Sequence, residues 1–311
     1  MFLNDNKYLP SNSNAIKEVR DLLDYFCEIK NKYVITGQHT QTVKQEELKY
    51  IKRVTNKLPK LIGYELLGYS LNINKDSDSI CLDEVKENLN TIEVALKDDR
   101  IITFSWHMFS PLYGLGKSFY AEKTEFDPRK ILDNTTPEYE AFMNELKNMA
   151  DLLTPFKEKN KPFLFRPFHE ADGKWFWWGR FGADVAKELF IITYKYFTYE
   201  REFNNIIWVW NAVSSYPGDE YVDVISIDVY TEPHEKTNYL NEINELINKT
   251  TKNKLVALAE CGVIPDIDLL EKANFPFIYY MLWSKEFILT EKYNTKEELK
   301  KMFNSKYSIK A

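Results

Sequence analysis

The most unusual chemistry in the chain lies in residues 163–179, which read FLFRPFHEADGKWFWWG. An apolar run of strand length leads to His169 and Glu170, and three of the seven tryptophans follow, among them Trp175 and Trp178. A strand can hold a carboxylate and an imidazole rigidly, while indole faces bind the C–H surfaces of a ligand and exclude water. Sugar rings present such surfaces, so the pattern predicts a carbohydrate site that the tryptophans help to line.

A second carboxylate, Glu260, ends another apolar run at 255–260. Paired carboxylates are the minimum equipment for cleaving a glycosidic bond, because one acid donates a proton to the leaving oxygen and one carboxylate attacks or activates water. Glu170 has aromatic sequence neighbours, and apolar surroundings raise a carboxyl pKa, so we expect Glu170 to be the acid. Glu260 is expected to stay ionised if it accepts hydrogen bonds from groups such as Tyr230.

Other apolar runs also end on polar or aromatic residues. Trp106 and His107 end one of them, and Asp228 lies near the end of another. The histidines, with Glu170 and Asp228, are alternative metal ligands, but aromatic neighbours would crowd a centre that needs three or four well-placed ligands. We therefore expect no metal. His107 and His169 would bind sugar hydroxyls, orient a carboxylate or lie in the core, Trp106 would contact substrate, and Asp228 would support the site as a buried acid.

Eight apolar runs are predicted as strands, and helices alternate with most of them. The predicted strands are 33–38, 61–67, 100–107, 163–170, 206–211, 222–230, 255–260 and 277–283. The predicted helices are 15–30, 45–57, 82–97, 138–159, 184–202, 238–252, 267–273 and 295–304. Continuous apolar strands are typical of a parallel sheet buried on both faces. The pattern predicts an α/β fold, a (β/α)₈ TIM barrel with no helix between its fifth and sixth strands and with its active site at the C-terminal ends of the strands.

An open doubly wound sheet is the rival architecture. The chain has no G-x-G-x-x-G after its first strand and no P-loop, so the sequence favours the barrel. No linker or repeat divides the chain, and 44% hydrophobic and 28% charged residues are ordinary for a globular protein. We expect a single catalytic domain over 1–311, in which 1–32 form an N-terminal extension and the opening helix.

The charge balance bounds the possible partners. A net charge of −6 without a basic stripe argues against nucleic acid and anionic membrane surfaces. No apolar run has spanning length and the first residues do not resemble a signal peptide. Because polymeric substrates lie outside the cell, we expect a secreted or extracellular protein whose signal peptide is absent from this sequence, with a cytoplasmic location as the alternative. We also expect a monomer.

Residues 166–179, RPFHEADGKWFWWG, are similar to the signature of glycoside hydrolase family 26, most of whose members are endo-β-1,4-mannanases. The resemblance covers nearly the whole chain through 37–38, 105–107, 208–210, 216–219, 223–230, 259–262 and 282–283. It implies a retaining hydrolase with a (β/α)₈ barrel, which acts by double displacement through a covalent glycosyl-enzyme and needs no cofactor.

The resemblance also implies roles for particular residues. Glu170 would be the acid/base and Glu260 the nucleophile. Arg166 would brace the carboxylates, and Tyr230 would hydrogen-bond the nucleophile. The positions that would line the sugar subsites around the scissile bond are His107, His169, Trp175, Tyr230 and Trp283.

Two departures from the family pattern concern the substrate. The family commonly has Met-Asn-Gly where this chain has Ala171-Asp172-Gly173, and Ser284 stands where some mannanases carry a larger polar residue that helps to hold a distal sugar. The resemblance implies mannan, glucomannan or a related β-glycan as the polysaccharide or oligosaccharide substrate. The alternatives are a β-1,3-1,4-glucanase or a β-1,3-xylanase of the same family, a metal-dependent hydrolase, and a non-catalytic carbohydrate-binding barrel.

Overall fold

The computed structural model describes residues 8–41, 44–73, 90–250 and 254–311, and its strands form one parallel sheet. The strands are β1 (Val34–Thr40), β2 (Leu61–Glu65), β3 (Ile101–Trp106), β4 (Phe163–Pro167), β5 (Ile206–Asn211), β6 (Val224–Val229), β7 (Leu255–Cys261), β8 (Tyr279–Leu282) and β9 (Ser308–Ile309). Strands β2 to β8 are neighbours in chain order, and β1 pairs with both β8 and β2. Eight strands therefore close a barrel, which confirms the predicted (β/α)₈ fold.

Helices follow most of the strands. They are α1 (Lys17–Ile29), α2 (Glu46–Thr55), α3 (Thr91–Lys97), α4 (Pro137–Glu158), α5 (Ala183–Lys195), α6 (Leu240–Ile247), α7 (Ile267–Lys272), α8 (Glu286–Leu289) and α9 (Lys296–Asn304). Residues 212–223, all of them described, contain no helix, as predicted. Of the helix predicted over 82–97, residues 82–89 lie outside the described residues, and α3 begins at Thr91 within the remainder. None of the described helices combines the length and apolar composition that crossing a bilayer requires.

The sequence does not predict α8 or β9. Helix α8 has four residues and β9 has two, so neither is long enough to show a periodic pattern. Strand β9 pairs in parallel with Val34 and Ile35 at the start of β1. It therefore adds a short ladder at the amino-terminal end of the barrel without interrupting the closed ring.

Helix α1 covers the amino-terminal end of the barrel. Its buried residues Val19, Leu23 and Phe26 belong to one apolar cluster with Leu61 and Leu255, the first residues of β2 and β7. Packing of the opening helix against the strand starts closes this end with apolar side chains. The opposite end, where the strands finish, is the end at which barrel enzymes carry their sites.

Glu170 and Trp283 lie just beyond the strands that precede them, whereas Arg166 and Glu260 lie within β4 and β7. Strand β4 ends at Pro167, three residues before Glu170, and β8 ends at Leu282. Phe168 and Glu170 have φ values of 53° and 54°, a left-handed backbone that a strand cannot contain. The predicted strand over 163–170 is therefore too long, because the chain turns sharply as it enters the site.

Candidate active site

The carboxyl-terminal end of the barrel opens into a cleft with two cavities that share part of their walls. The larger cavity has a volume of about 620 Å³, and its walls include His107, His169, Glu260 and Trp283. The smaller has a volume of about 270 Å³, and its walls include Asp172, Asn211, Val213 and Asp228. Three side chains border both cavities: Glu170, Trp175 and Tyr230. The motif that follows β4 therefore lies where the two cavities meet.

Glu260 lies on β7 and is only 3% exposed. Arg166, buried on β4, donates hydrogen bonds to Glu260 Oε1 and to Asp228 Oδ2, the latter at 2.7 Å. The Tyr230 hydroxyl donates to Glu260 Oε2 at 2.7 Å. Each carboxylate oxygen of Glu260 thus accepts a hydrogen bond, and strands β4, β6 and β7 hold the carboxylate in one orientation.

Glu170 is held by a turn rather than by a strand. Its backbone N–H donates to Asn211 Oδ1 at 2.6 Å, and its carbonyl accepts from the N–H of Gly173 at 2.8 Å. The Trp175 indole N–H donates to Glu170 Oε2 at 2.6 Å. A left-handed φ at a non-glycine residue costs of order 1–3 kcal/mol and persists where the surroundings enforce it. These contacts aim the half-buried Glu170 side chain into the cleft.

Three carboxyls converge at the centre of the cleft. One oxygen each from Glu170, Asp228 and Glu260 lies within 4.8 Å of the other two. Burial raises the pKa of all three carboxyls, and the Asp228 charge raises the pKa of both glutamates further. The Arg166 guanidinium opposes these shifts. A single cation among three carboxyls favours a cluster that keeps a proton.

The sequence predicts that Glu170 is the acid because its surroundings are the more apolar, and that reason is wrong. Glu260 is buried while Glu170 is only half-buried, so Glu260 has the more apolar surroundings. The two side chains differ instead in their hydrogen-bond donors. Glu260 accepts from a guanidinium and a phenol, whereas Glu170 accepts from the indole of Trp175. Hydrogen bonds to the charged form favour that form, so Glu260 is the better place for the negative charge.

A buried glutamate, Glu65, organises the histidines on the other side of the cleft. Its Oε2 lies 2.7 Å from Nδ1 of His107, and its Oε1 accepts the His107 backbone N–H at 2.9 Å. Burial acts to raise the pKa of Glu65, but the contacts with His107 outweigh it and the pKa lies below its ordinary value. An ionised Glu65 keeps a proton on His107 Nδ1. Nε2 of His107 lies 3.2 Å from Nε2 of His169, and a hydrogen bond joins the two rings.

Glu65 does not stand out in the sequence, because it lies inside the predicted strand 61–67 and not at its end. The signal that could have revealed it is a single acid among apolar residues in a strand that the barrel buries on both faces.

Burial also holds the pKa of His169 well below its usual value, with His107 as the second cause. His169 is therefore neutral and can exchange hydrogen bonds with its neighbours in the cleft.

The same three carboxylates are also close enough to bind a metal ion. Arg166 already bonds two of them, so an added cation would meet a fixed positive charge there. The histidines that the sequence offers as ligands are engaged as well, His107 with Glu65 and His169 with His107. This donor set fits a carboxyl pair braced by an arginine better than it fits a metal centre.

The aromatic residues divide into a group that faces the cleft and a group that does not. Trp175 is 53% exposed and Tyr230 43%, and Trp283 is half-buried with its ring stacked on His39 at 3.9 Å. All three border a cavity. They offer flat apolar faces where the cleft is open to a ligand.

Trp106 and Trp178 do not reach the cleft, and the prediction that they bind substrate is wrong. They are 1% and 0% exposed. The Trp178 indole N–H donates to the carbonyl of His169 at 2.8 Å, and its ring stacks on Phe176. The chain reverses direction after β4, so Trp175 of the WFWW run is exposed while Phe176, Trp177 and Trp178 are buried beneath the site. They support its floor.

The family model for glycosyl hydrolase family 26 matches residues 11–311. The chain belongs to this family. A mannan endo-1,4-beta-mannosidase of Thermothelomyces thermophilus is 30% identical over 96% of this chain and 62% of its own length. The mannan endo-1,4-beta-mannosidase B of Piromyces sp is 34% identical over 61% of this chain and 33% of its own length. The chain thus spans less than two thirds of the length of these curated relatives.

Solved structures of the family have the same fold. The Podospora anserina GH26-CBM35 beta-(1,4)-mannanase superposes with a TM-score of 0.87 at 28% identity, covering 100% of this chain and 70% of that one. The beta-mannanase from a symbiotic protist of the termite Reticulitermes speratus, complexed with gluco-manno-oligosaccharide, gives 0.85 at 26% identity, covering 97% and 96%. The barrel therefore has the same fold as these proteins over nearly its whole length.

Proposed function

We propose that this protein is a retaining endo-β-1,4-mannanase. The observation that carries the proposal is the spacing of its carboxyls, since oxygens of Glu170 and Glu260 lie within 4.8 Å of each other. Inverting glycosidases separate the two carboxyl groups by about 6.5–9.5 Å to leave room for a water molecule. The short separation leaves no such room and favours direct attack by one carboxylate on the sugar.

In the first step, a carboxylate oxygen of Glu260 attacks the anomeric carbon and forms the bond to the sugar. Glu170 gives its proton to the glycosidic oxygen as the bond to the leaving sugar breaks. In the second step, Glu170 takes a proton from water, the water oxygen bonds to the anomeric carbon, and Glu260 is released. The carboxyl pair returns to its starting protonation state.

The hydrogen bonds of the cleft support this division of roles. Arg166 and Tyr230 stabilise the negative charge that Glu260 needs before attack and regains on release. Glu170 has a raised pKa from burial and from the charge of Asp228. It therefore keeps its proton at a pH where an ordinary glutamate would have lost it. Asp228 supports the site through Arg166 and lies beside the reacting groups.

The substrate follows from the relatives and from the walls of the cleft. Both relatives described above are named mannan endo-1,4-beta-mannosidases, and the termite-symbiont enzyme holds a gluco-manno-oligosaccharide. In our proposal Trp175, Tyr230 and Trp283 contact sugar faces, and His107 and His169 bond hydroxyls. Mannan and glucomannan are the proposed substrates. The chain would act as a monomeric, single catalytic domain of a secreted protein.

The experiment compares β-1,4-mannan, glucomannan, galactomannan, mixed-linkage β-glucan and β-1,3-xylan at equal mass and measures released reducing ends. We expect the highest rate on a mannan or glucomannan and a rapid fall in viscosity, since an endo-acting enzyme cuts within the polymer. A highest rate on mixed-linkage glucan or β-1,3-xylan would overturn the substrate. Saturable binding of mannan without any released reducing ends would make the protein a carbohydrate-binding barrel.

A further inference from the structure

The two cavities of the cleft differ in which catalytic carboxyl they contact. Glu260 borders only the larger cavity, whereas Glu170 borders both. The attacked anomeric carbon must lie against Glu260, and the leaving oxygen must lie against Glu170. The sugar that becomes bound to the protein therefore occupies the larger cavity. The smaller cavity, which has less than half that volume, receives the leaving part of the chain.

The connection after β5 forms the outer wall of the smaller cavity. Ala212 and Val213 of this connection border the cavity, as Trp175 does. Because residues 212–223 include no helix, no regular backbone hydrogen bonds fix this wall. Ser215 also has a left-handed φ of 54°, which a serine adopts only when its surroundings enforce it.

Asp172, in the turn after Glu170, supplies the missing support. Its Oδ2 accepts the Val213 backbone N–H at 2.6 Å, and its Oδ1 accepts the Ser214 backbone N–H at 3.2 Å and the Ser214 hydroxyl. Three donors therefore meet both oxygens of one side chain. A carboxylate accepts on both oxygens, whereas an amide would point its NH₂ group at one of the donors.

We propose that Asp172 is a positioning residue that fixes residues 212–214 as the wall of the leaving-group cavity and thereby sets how many sugars bind beyond the cleaved bond. The proposal rests on the proposed function. Asp172 joins the turn that carries Glu170 to the wall that faces the leaving sugar. The turn that carries Glu170 and the wall formed by residues 212–214 are therefore fixed relative to each other.

The test compares wild type, Asp172→Ala and Asp172→Asn on two substrates. β-1,4-Mannopentaose fills the smaller cavity with its reducing end, whereas β-mannobiosyl fluoride has a single-atom leaving group and does not. For Asp172→Ala we expect kcat/KM on mannopentaose to fall about tenfold, as for loss of hydrogen bonds to a charged group. The loss should appear mainly in KM and should be much smaller for the fluoride.

The position of cleavage gives a second readout. Hydrolysis of mannopentaose in ¹⁸O-water, followed by mass spectrometry, identifies the bond that is cut. When sugars bind less well beyond the cleaved bond, the pentaose shifts toward the larger cavity. In Asp172→Ala we therefore expect more cleavage at the bond next to the reducing end, with more mannose and mannotetraose. Asp172→Asn should shift the pattern in the same direction, because one donor faces its NH₂ group.

Asp133→Ala is the matched control. Asp133 is exposed, accepts the Thr135 backbone N–H at 3.0 Å and the Thr135 hydroxyl at 2.7 Å, and borders neither cavity. It should keep the wild-type cleavage pattern.

An unchanged pattern in both Asp172 variants, or equal losses on the two substrates, would overturn the proposal. If Asp172→Ala does not fold by circular dichroism, Asp172→Asn decides. A wild type inactive on both substrates would instead refute the proposed function.

Discussion

Glu260 and Glu170 face the same cleft with the same functional group, but the fold holds them in different ways. Glu260 belongs to strand β7, is buried and accepts a hydrogen bond on each oxygen from Arg166 and Tyr230. Glu170 follows β4 in a left-handed turn, is half-exposed and accepts from an indole. Burial raises the pKa of both. We therefore propose that hydrogen-bond donors rather than burial decide which carboxyl carries the charge.

The largest effect should come from the buried member of the pair. Glu260→Ala removes the proposed nucleophile, so we expect kcat on mannan to fall by about 10⁴-fold or more. The matched control is Glu297→Ala on α9, an exposed glutamate paired with Lys300, which should keep wild-type activity. Circular dichroism should show both variants folded. A folded Glu260→Ala variant with full activity would make the proposed mechanism wrong.

Glu170→Gln should produce a loss that depends on the leaving group. General acid catalysis contributes about 10²- to 10⁴-fold, so we expect a loss of that size on mannan, whose leaving sugar needs a proton. A dinitrophenyl β-mannobioside releases dinitrophenolate, which leaves without protonation, so the first step on this substrate should be far less affected. The measurement is the ratio of kcat/KM for the two substrates. Equal losses on both would remove the acid role from Glu170.

Tyr230→Phe tests the donors of Glu260. The hydroxyl stabilises the carboxylate, so its removal should raise the pKa of Glu260 and lower kcat/KM by about 10- to 100-fold. The mechanism needs Glu260 ionised, and activity is therefore lost as pH falls through the pKa of Glu260. The acid limb of the kcat/KM profile should move to higher pH. An unchanged acid limb would show that Tyr230 does not set this pKa.

Trp175→Phe tests the donor of Glu170 and should have the smallest effect, about threefold to tenfold in kcat/KM. The indole N–H lowers the pKa of Glu170, so its removal should raise that pKa. The acid must be protonated, and activity is lost as pH rises through the pKa of Glu170. The basic limb of the profile should therefore move to higher pH while the acid limb stays. A shift of the acid limb instead would reverse the two assignments.

The sequence predicts the barrel well because its strands are continuous apolar runs. Strand β5 begins and ends at the predicted residues, and the missing helix after it is visible from the short spacing to β6. Strand β4 is shorter than predicted, because the turn at Phe168 and Glu170 depends on tertiary contacts such as the bond to Asn211. Those contacts have no local sequence pattern.

The candidate site is predicted only in part for a similar reason. Glu170 and Glu260 follow from acids at strand ends, and their convergence follows from the barrel. Glu65 is not identifiable in this way because it lies within a predicted strand. Its importance depends on the contact with His107, which only the fold creates. The prediction that Trp178 contacts substrate is wrong because four successive aromatics do not reveal which side chains point inward after the turn.

The most direct test of the central claim is the configuration of the first product. Proton NMR of β-1,4-mannooligosaccharide hydrolysis, recorded within the first minutes, distinguishes the anomers of the new reducing end before they interconvert. Double displacement through Glu260 predicts that the β anomer appears first and that the α anomer follows by mutarotation. Initial formation of the α anomer would mean a single displacement by water and would contradict the roles assigned to Glu170 and Glu260.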